Sequence, residues 1–124
     1  MRTVEQAKYI YISGPYSSDR PEEVFLNVQR AEEAAKAVLL KGHVPFCPHT
    51  MTCGWETDHR LRYEDFLRMD LAWIARCDWF LYLRPSPGAD QELAKARARG
   101  MAVFDSVDEV PEVAIRNAAG DRRL

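Results

Sequence analysis

"DWFLYLRPSPGADQELAKARARG", residues 78–100, contains the pattern that decides the fold. Its first six residues are a nearly unbroken apolar run, which is typical of a strand in the middle of a parallel sheet. A Ser-Pro-Gly turn follows, and the residues from Gly88 to Gly100 have the pattern of a helix with a glycine at its end. The stretch therefore predicts a strand, a tight turn and a helix in that order.

The same alternation extends along the chain on both sides of that stretch. Three more strands are predicted, at residues 8–13, 43–49 and 101–106. Three more helices are predicted, at residues 17–42, 61–77 and, more weakly patterned, 107–119. Residues 1–8 are predicted to be irregular. Strands that alternate with helices predict one α/β domain over residues 1–124, with a mainly parallel sheet.

Composition limits the kinds of partner. The chain has 17 basic and 19 acidic residues, so it lacks the basic surplus that binding to a nucleic acid polymer requires. No apolar run approaches the roughly 20 residues that span a bilayer, so we expect no membrane partner. Three cysteines, an odd number, without an export signal favour a cytoplasmic protein with reduced thiols.

Small and hydroxyl-bearing residues follow the predicted strands. In parallel α/β sheets, ligands bind beyond the carboxyl ends of the strands, where the strand order reverses. The candidate substrate-binding residues in the three segments at that edge are Ser13, Gly14, Ser17, Ser18, His49, Ser86 and Gly88. Hydroxyl and N–H groups near a helix start can hold a phosphate, although the first segment matches no standard phosphate loop. The alternative is a plain cap and turn.

Glu92 is the first candidate catalytic residue. It lies about four residues into the helix predicted from Gly88, where free N–H groups and the helix dipole favour a carboxylate. A carboxylate that stays ionised acts as a nucleophile or as a stabiliser of positive charge. The alternative is that Glu92 only stabilises the helix, as acidic residues in first turns commonly do.

Asp70 is the second candidate. It lies on or beside the apolar stripe of the helix predicted at residues 61–77, and an unpaired buried charge there would be costly. It must therefore face a cavity or pair with an arginine such as Arg62 or Arg68. Two acids directed into one crevice are the usual equipment for opening a glycosidic bond.

A histidine and cysteine cluster raises the question of zinc. Its members are His43, Cys47, His49, Cys53 and His59. No pair has the two-residue spacing of a structural zinc site, so we expect no metal, and no motif indicates another cofactor. Trp55 and Tyr63 flank an irregular loop, where they could stack on a planar base or close the core.

Three segments together resemble the nucleoside 2-deoxyribosyltransferase-like superfamily, over about residues 9–104. They are "YIYISGPYSS", "RMDLAWIARCDWFLYL" and "SPGADQELAKARARG". The resemblance implies cleavage or transfer at the N-glycosidic bond of a deoxynucleoside or its 5′-monophosphate. It also implies a homodimer or higher homo-oligomer. With it, we predict a flavodoxin-like three-layer domain with a four- or five-stranded, mainly parallel sheet.

The resemblance also assigns roles to single residues. Glu92 matches the nucleophile, Asp70 the aspartate that assists proton transfer at the base, and Tyr11 the tyrosine that orients the nucleophile. Ser86 stands where the monophosphate-cleaving glycosidases carry a serine, which favours a phosphate-bearing substrate or a hydrolytic outcome. The segment "GPYSSDR" lacks their Gly- and Arg-rich loop, so nucleoside and monophosphate both stay open. A nucleotide-binding module without turnover and an oligomeric interaction module are the alternatives to an enzyme.

Overall fold

A computed structural model describes residues 2–114, and the elements below belong to that part of the chain. Its strands are β1 (Thr3–Val4), β2 (Tyr9–Ser13), β3 (Val44–Phe46), β4 (Trp79–Tyr82), β5 (Ala102–Phe104) and β6 (Glu112–Val113). Its α-helices are α1 (Pro21–Leu40), α2 (Pro48–Met51), α3 (Tyr63–Ile74) and α4 (Pro87–Ala98). Single 3₁₀ turns lie at Trp55–Thr57 and Val107–Glu109.

The main sheet has four parallel strands in the order β3-β2-β4-β5. The chain moves from β2 outward to β3, returns across β2 to β4, and continues to β5. The strand order therefore reverses between β2 and β4, which are neighbours in the sheet. This mixed α/β architecture confirms the predicted fold class and is compatible with a flavodoxin-like three-layer domain.

Alternation along β2 separates two core layers. Ile10 and Ile12 point to one face, where they pack in a cluster with Ala31, Ala34 and Val38 of α1. Tyr11 points to the other face, in a cluster with Phe80 of β4, Ile74 of α3 and Ala96 of α4. Because side chains alternate along a strand, Ser13 lies on the same face as Tyr11, towards α3 and α4.

The predictions for two segments, one near each end of the chain, were wrong. Residues 1–8 were expected to be irregular, but Thr3–Val4 forms β1 and pairs with β6 in a separate parallel sheet. The helix predicted at 107–119 is instead a 3₁₀ turn followed by β6 over its described part, and residues 115–119 lie outside the described residues. Strands of two residues are too short to produce a periodic pattern, and Pro111 cannot donate within a helix.

The strand predicted at residues 43–49 is shorter in the structure. The strand covers only Val44–Phe46, and α2 begins at Pro48. His43 is buried beside this strand, where its Nδ1 accepts a hydrogen bond from the Lys8 N–H at 3.0 Å. Its Nε2 lies 2.6 Å from the Pro111 carbonyl oxygen and donates to it. His43 therefore joins the main sheet to the segment that leads into β6.

The end of α1 packs closely against β6. Gly42 follows that helix with a φ of +97°, and a Cβ built on it would lie 2.8 Å from the Cβ of Val113. Gly100 follows α4 in a similar conformation, with a φ of +72°, but a Cβ there would meet no atom within 4 Å. The two glycines therefore share a backbone requirement and differ in the space around them.

None of the helices within residues 2–114 has the length and the apolar composition needed to cross a bilayer.

We predict that Gly42→Ala destabilises the protein more than Gly100→Ala does. Each variant places a side chain in the left-handed region, which costs about 1–2 kcal/mol. Only Gly42→Ala also forces a methyl group into Val113, and such overpacking adds typically about 1–3 kcal/mol. Urea unfolding of both variants measures the difference. Equal losses of unfolding free energy would contradict the close packing of α1 against β6.

Candidate active site

A cleft of about 580 Å³ opens beyond the carboxyl ends of β2 and β4, at the point where the strand order reverses. Segments after three strands and the start of α3 and α4 surround it. Its lining residues are Gly14, Tyr16, Ser17, Pro48, His49, Thr52, Glu56, Leu61, Tyr63, Phe66, Asp70, Ser86, Pro87, Gly88, Ala89 and Glu92. The predicted edge of the sheet therefore carries a cavity, and both candidate acids open into it.

Glu92 is a buried carboxylate whose two oxygens are both held by hydroxyl groups. Its side chain is only 8% exposed. The Tyr11 hydroxyl donates to Oε2 at 2.9 Å, and the Ser13 hydroxyl donates to Oε1 at 2.7 Å. Both donors lie on β2, so the strand and α4 together fix the direction of the carboxylate.

The expected reason for the position of Glu92 was wrong. Helix α4 begins at Pro87, and the acidic residue of its first turn is Asp90. Glu92 lies one turn further along, beyond the free N–H groups of the helix start. The Ser86 side chain caps that start by accepting a hydrogen bond from the Ala89 N–H at 3.0 Å. Hydroxyl groups from β2, rather than the helix terminus, therefore hold the Glu92 carboxylate.

Asp70 is half-buried on α3 and faces Glu92. Burial, repulsion from Glu92 and a hydrogen bond to Glu92 raise the pKa of Asp70 to about 8. Within residues 2–114 neither suggested arginine forms an ion pair with Asp70, and Arg68 pairs instead with Asp65 at 3.0 Å. Asp70 is therefore a protonated acid at neutral pH and faces the cleft.

Tyr11 is fully buried beneath the two carboxyl groups. Burial, followed by the negative charges of Glu92 and Asp70, raises the pKa of the Tyr11 hydroxyl far above its usual range. The hydroxyl therefore keeps its proton and acts as a donor to Glu92. The ring stacks on Phe80 with centroids 5.7 Å apart and an interplanar angle of 9°, which fixes its position.

The other predicted site residues divide into three groups. Gly14, Ser17, His49, Ser86 and Gly88 line the cleft. Ser13 was predicted to bind substrate, but its side chain is fully buried and its hydroxyl contacts Glu92. Ser18 was also predicted there, but it is exposed outside the lining and accepts a hydrogen bond from the Arg20 N–H at 3.2 Å.

His49 has one ring nitrogen without a hydrogen-bond partner. Its Nε2 lies 3.0 Å from the carbonyl oxygens of Gly14 and Pro15, and because carbonyls only accept, Nε2 carries the proton. Nδ1 is then an acceptor, and it is the one buried side-chain polar atom of residues 2–114 that lacks a partner. Burial lowers the pKa of His49, so the ring is neutral at neutral pH.

Glu56 is a cleft residue that the sequence pattern did not reveal. It lies in the 3₁₀ turn Trp55–Thr57, within a loop that has no periodicity. The Tyr16 hydroxyl donates to its carboxylate, 2.9 Å from each oxygen, and accepts from the Gly54 N–H at 3.2 Å. Its partner Tyr16 lies 40 residues earlier in the chain, so no local pattern could have identified the contact.

The structure also shows the surroundings of the two aromatic residues and of the cysteines. Tyr63 lines the cleft with Phe66 and Leu61, whereas Trp55 lies outside the lining and is 45% exposed. Among the described residues, no three His, Cys, Asp or Glu side chains are grouped so that they could hold a metal ion. Cys47, Cys53 and Cys77 are free thiols.

One protein-family model, described as a domain of unknown function (DUF7768), matches residues 8–105. The chain belongs to this family. The match extends from the residue before β2 to the residue after β5, so it includes the whole main sheet and Tyr11, Asp70 and Glu92. No curated protein matches the chain.

We predict that Asp70→Asn changes the pH dependence of stability. The folded protein holds the Asp70 proton up to about pH 8, whereas the unfolded chain releases it near the ordinary pKa of 3.8. The contribution of Asp70 to stability is therefore full below the unfolded pKa and is lost as pH rises through the folded one. Asparagine does not titrate, so the variant should gain in melting temperature relative to wild type from about pH 5 to about pH 8.

Asp19→Asn, at an exposed position outside the cleft, is the matched control. Its melting temperature should differ from wild type by the same amount at each pH. A constant difference for Asp70→Asn as well would contradict a buried proton on Asp70.

Proposed function

We propose that the protein cleaves or transfers at the N-glycosidic bond of a deoxynucleoside or its 5′-monophosphate, with Glu92 as the nucleophile. The observation that carries the proposal is the pairing of two carboxyl groups in one cleft. Glu92 is held by Tyr11 and Ser13, and Asp70 keeps a proton because burial and Glu92 raise its pKa to about 8. Acids in different protonation states are what glycoside cleavage requires.

In the first step, a Glu92 oxygen attacks the anomeric carbon of the sugar. The bond between that carbon and the base nitrogen breaks, and its electron pair leaves with the base. The hydrogen bonds from Tyr11 and Ser13 support this role because they hold both oxygens in one orientation before the substrate arrives. The product of the step is a glycosyl ester on Glu92 and a free base.

Asp70 is proposed to donate its proton to the departing base. A pKa of about 8 places this group near neutral pH, where a general acid is most effective. In the second step, the Asp70 carboxylate takes a proton from water or from a second base as that acceptor attacks the sugar carbon. Glu92 then leaves as a carboxylate, and both acids return to their starting states.

The closeness of the two carboxyl groups favours a covalent intermediate. Both carboxyl groups line the same cleft, and after burial the repulsion from Glu92 is the next cause of the raised Asp70 pKa, so the two groups lie close together. Enzymes that invert in one step keep their carboxyl groups about 6.5–9.5 Å apart, which leaves room for the attacking water. Adjacent groups instead suit an attack by one of them on the sugar itself.

An apolar wall supports a base as the leaving group. Leu61, Tyr63 and Phe66 line one part of the cleft, and the Tyr63 hydroxyl lies 3.5 Å from Gln91 Oε1. Planar bases stack on aromatic rings, and small-molecule sites combine such walls with a few polar groups. The cleft volume of about 580 Å³ is within the usual range for such ligands.

The proposal includes a homodimer or higher homo-oligomer in the cytoplasm. Apolar side chains on the outer face of α1 support the assembly, since Phe25 is 61% exposed, Leu39 60% and Leu40 78%. Free thiols at all three cysteines suit a reducing compartment. Sedimentation velocity should therefore give a mass of at least two chains, and a monomer at micromolar concentration would contradict the assembly.

We predict that Glu92→Gln lowers base release by about 10³-fold or more, because an amide cannot attack the sugar. Asp70→Asn should cause a smaller loss, within about 10²–10⁴-fold, because it removes general acid help. Glu32→Gln, at an exposed position on α1, is the matched control and should keep the wild-type rate. The assay measures free base from the common deoxynucleosides and their 5′-monophosphates.

Wild-type turnover by Glu92→Gln would defeat the nucleophile assignment. Binding of these ligands by wild type without release of base would support the alternative of a nucleotide-binding module.

A further inference from the structure

The cleft is acidic. Three carboxyl side chains line it, those of Glu56, Asp70 and Glu92, and none of its lining residues within 2–114 is a lysine or arginine. The histidine of the lining, His49, is neutral at neutral pH because burial lowers its pKa. Sites for phosphate dianions normally carry arginine, lysine or a row of free backbone N–H groups. This cleft therefore lacks the charge that would attract a phosphate.

Two arginines close to the cleft along the sequence are paired with other acids. Arg20 contacts Glu22 at 2.9 Å, and Arg60 contacts Asp58 at 2.6 Å. In the first turn of α4, the Ala89 N–H is already bound to the Ser86 hydroxyl oxygen. These three groups are thus engaged with protein atoms.

The same surface presents a hydrogen-bond acceptor, the carboxylate of Glu56. A free sugar hydroxyl donates a hydrogen bond to groups of this kind, whereas a phosphate dianion has no proton to donate.

Glu56 is held in place at this surface. The Tyr16 hydroxyl donates to both of its oxygens and is itself fixed by the Gly54 N–H. Burial first, and the contact with Glu56, keep the Tyr16 pKa raised to about 12, so this donor stays protonated. A cleft of about 580 Å³ is on the order of one Debye length across, so salt only partly screens Glu56 from a phosphate inside it.

We propose that Glu56 is a specificity-determining residue, which makes the cleft select an unphosphorylated deoxynucleoside and reject its 5′-monophosphate. This inference rests on the proposed function for the class of ligand. It decides between the two substrates that the sequence left open; Ser86, which favoured a phosphate-bearing substrate or a hydrolytic outcome, also caps α4.

The kinetic test compares kcat/KM for the four common deoxynucleosides and their 5′-monophosphates. Like charges brought together cost several kcal/mol, so wild type should favour the nucleoside by about 10²-fold or more. Glu56→Gln keeps an acceptor for Tyr16 but removes the charge, and should narrow that preference about tenfold. Glu64→Gln removes the same charge from an exposed position outside the cleft and should leave the preference unchanged.

A binding arm separates this inference from the proposed reaction. Calorimetric titration of each nucleoside and monophosphate needs no turnover, so it applies even if no base is released. Tighter binding of the nucleoside, with the difference reduced in Glu56→Gln, supports the inference. Equal or tighter binding of the monophosphate, binding of neither ligand, or a preference that Glu56→Gln leaves intact would overturn it.

Discussion

The two hydrogen bonds from β2 to Glu92 are the constraint on which the candidate site depends. Removing a carboxylate from water costs several kcal/mol, and hydrogen bonds to a charged group return about 1.5–3 kcal/mol each. The hydroxyls of Tyr11 and Ser13 therefore compensate for much of the burial of Glu92. Because the two donors are two residues apart on one strand, a single face of β2 supplies both.

The position of β2 explains why the two acids meet on this face. It is a central strand next to the point where the strand order reverses, so α4, which follows the neighbouring strand β4, brings Glu92 over its end. Helix α3 crosses the same face and brings Asp70 beside Glu92. Burial and then the closeness of Glu92 raise the pKa of Asp70, and the proposed roles of proton donor and nucleophile depend on this difference between two similar side chains.

The local sequence pattern was sufficient to predict the elements that are long or strongly apolar. The run that became β4, the turn at Ser86 and the helix after it were predicted from sequence, as was the position of Asp70 beside the apolar stripe. Contacts between residues that are far apart in the sequence were not predicted. The hydroxyl of Ser13 meets Glu92 79 residues later, and Tyr16 meets Glu56 through an irregular loop. The periodicity of a sequence does not reveal such pairs of distant residues. The strands β1 and β6 were also missed, because each is too short to produce a periodic pattern.

The central claim is that Glu92 becomes covalently attached to the sugar. Intact-protein and peptide mass spectrometry after acid quench, during turnover of a deoxynucleoside that releases base, tests it most directly. We expect a mass increase of one deoxyribosyl group, located on the α4 peptide that contains Glu92 and absent from Glu92→Gln. Release of base with Glu92 unmodified, or with the group on another residue, would contradict the account.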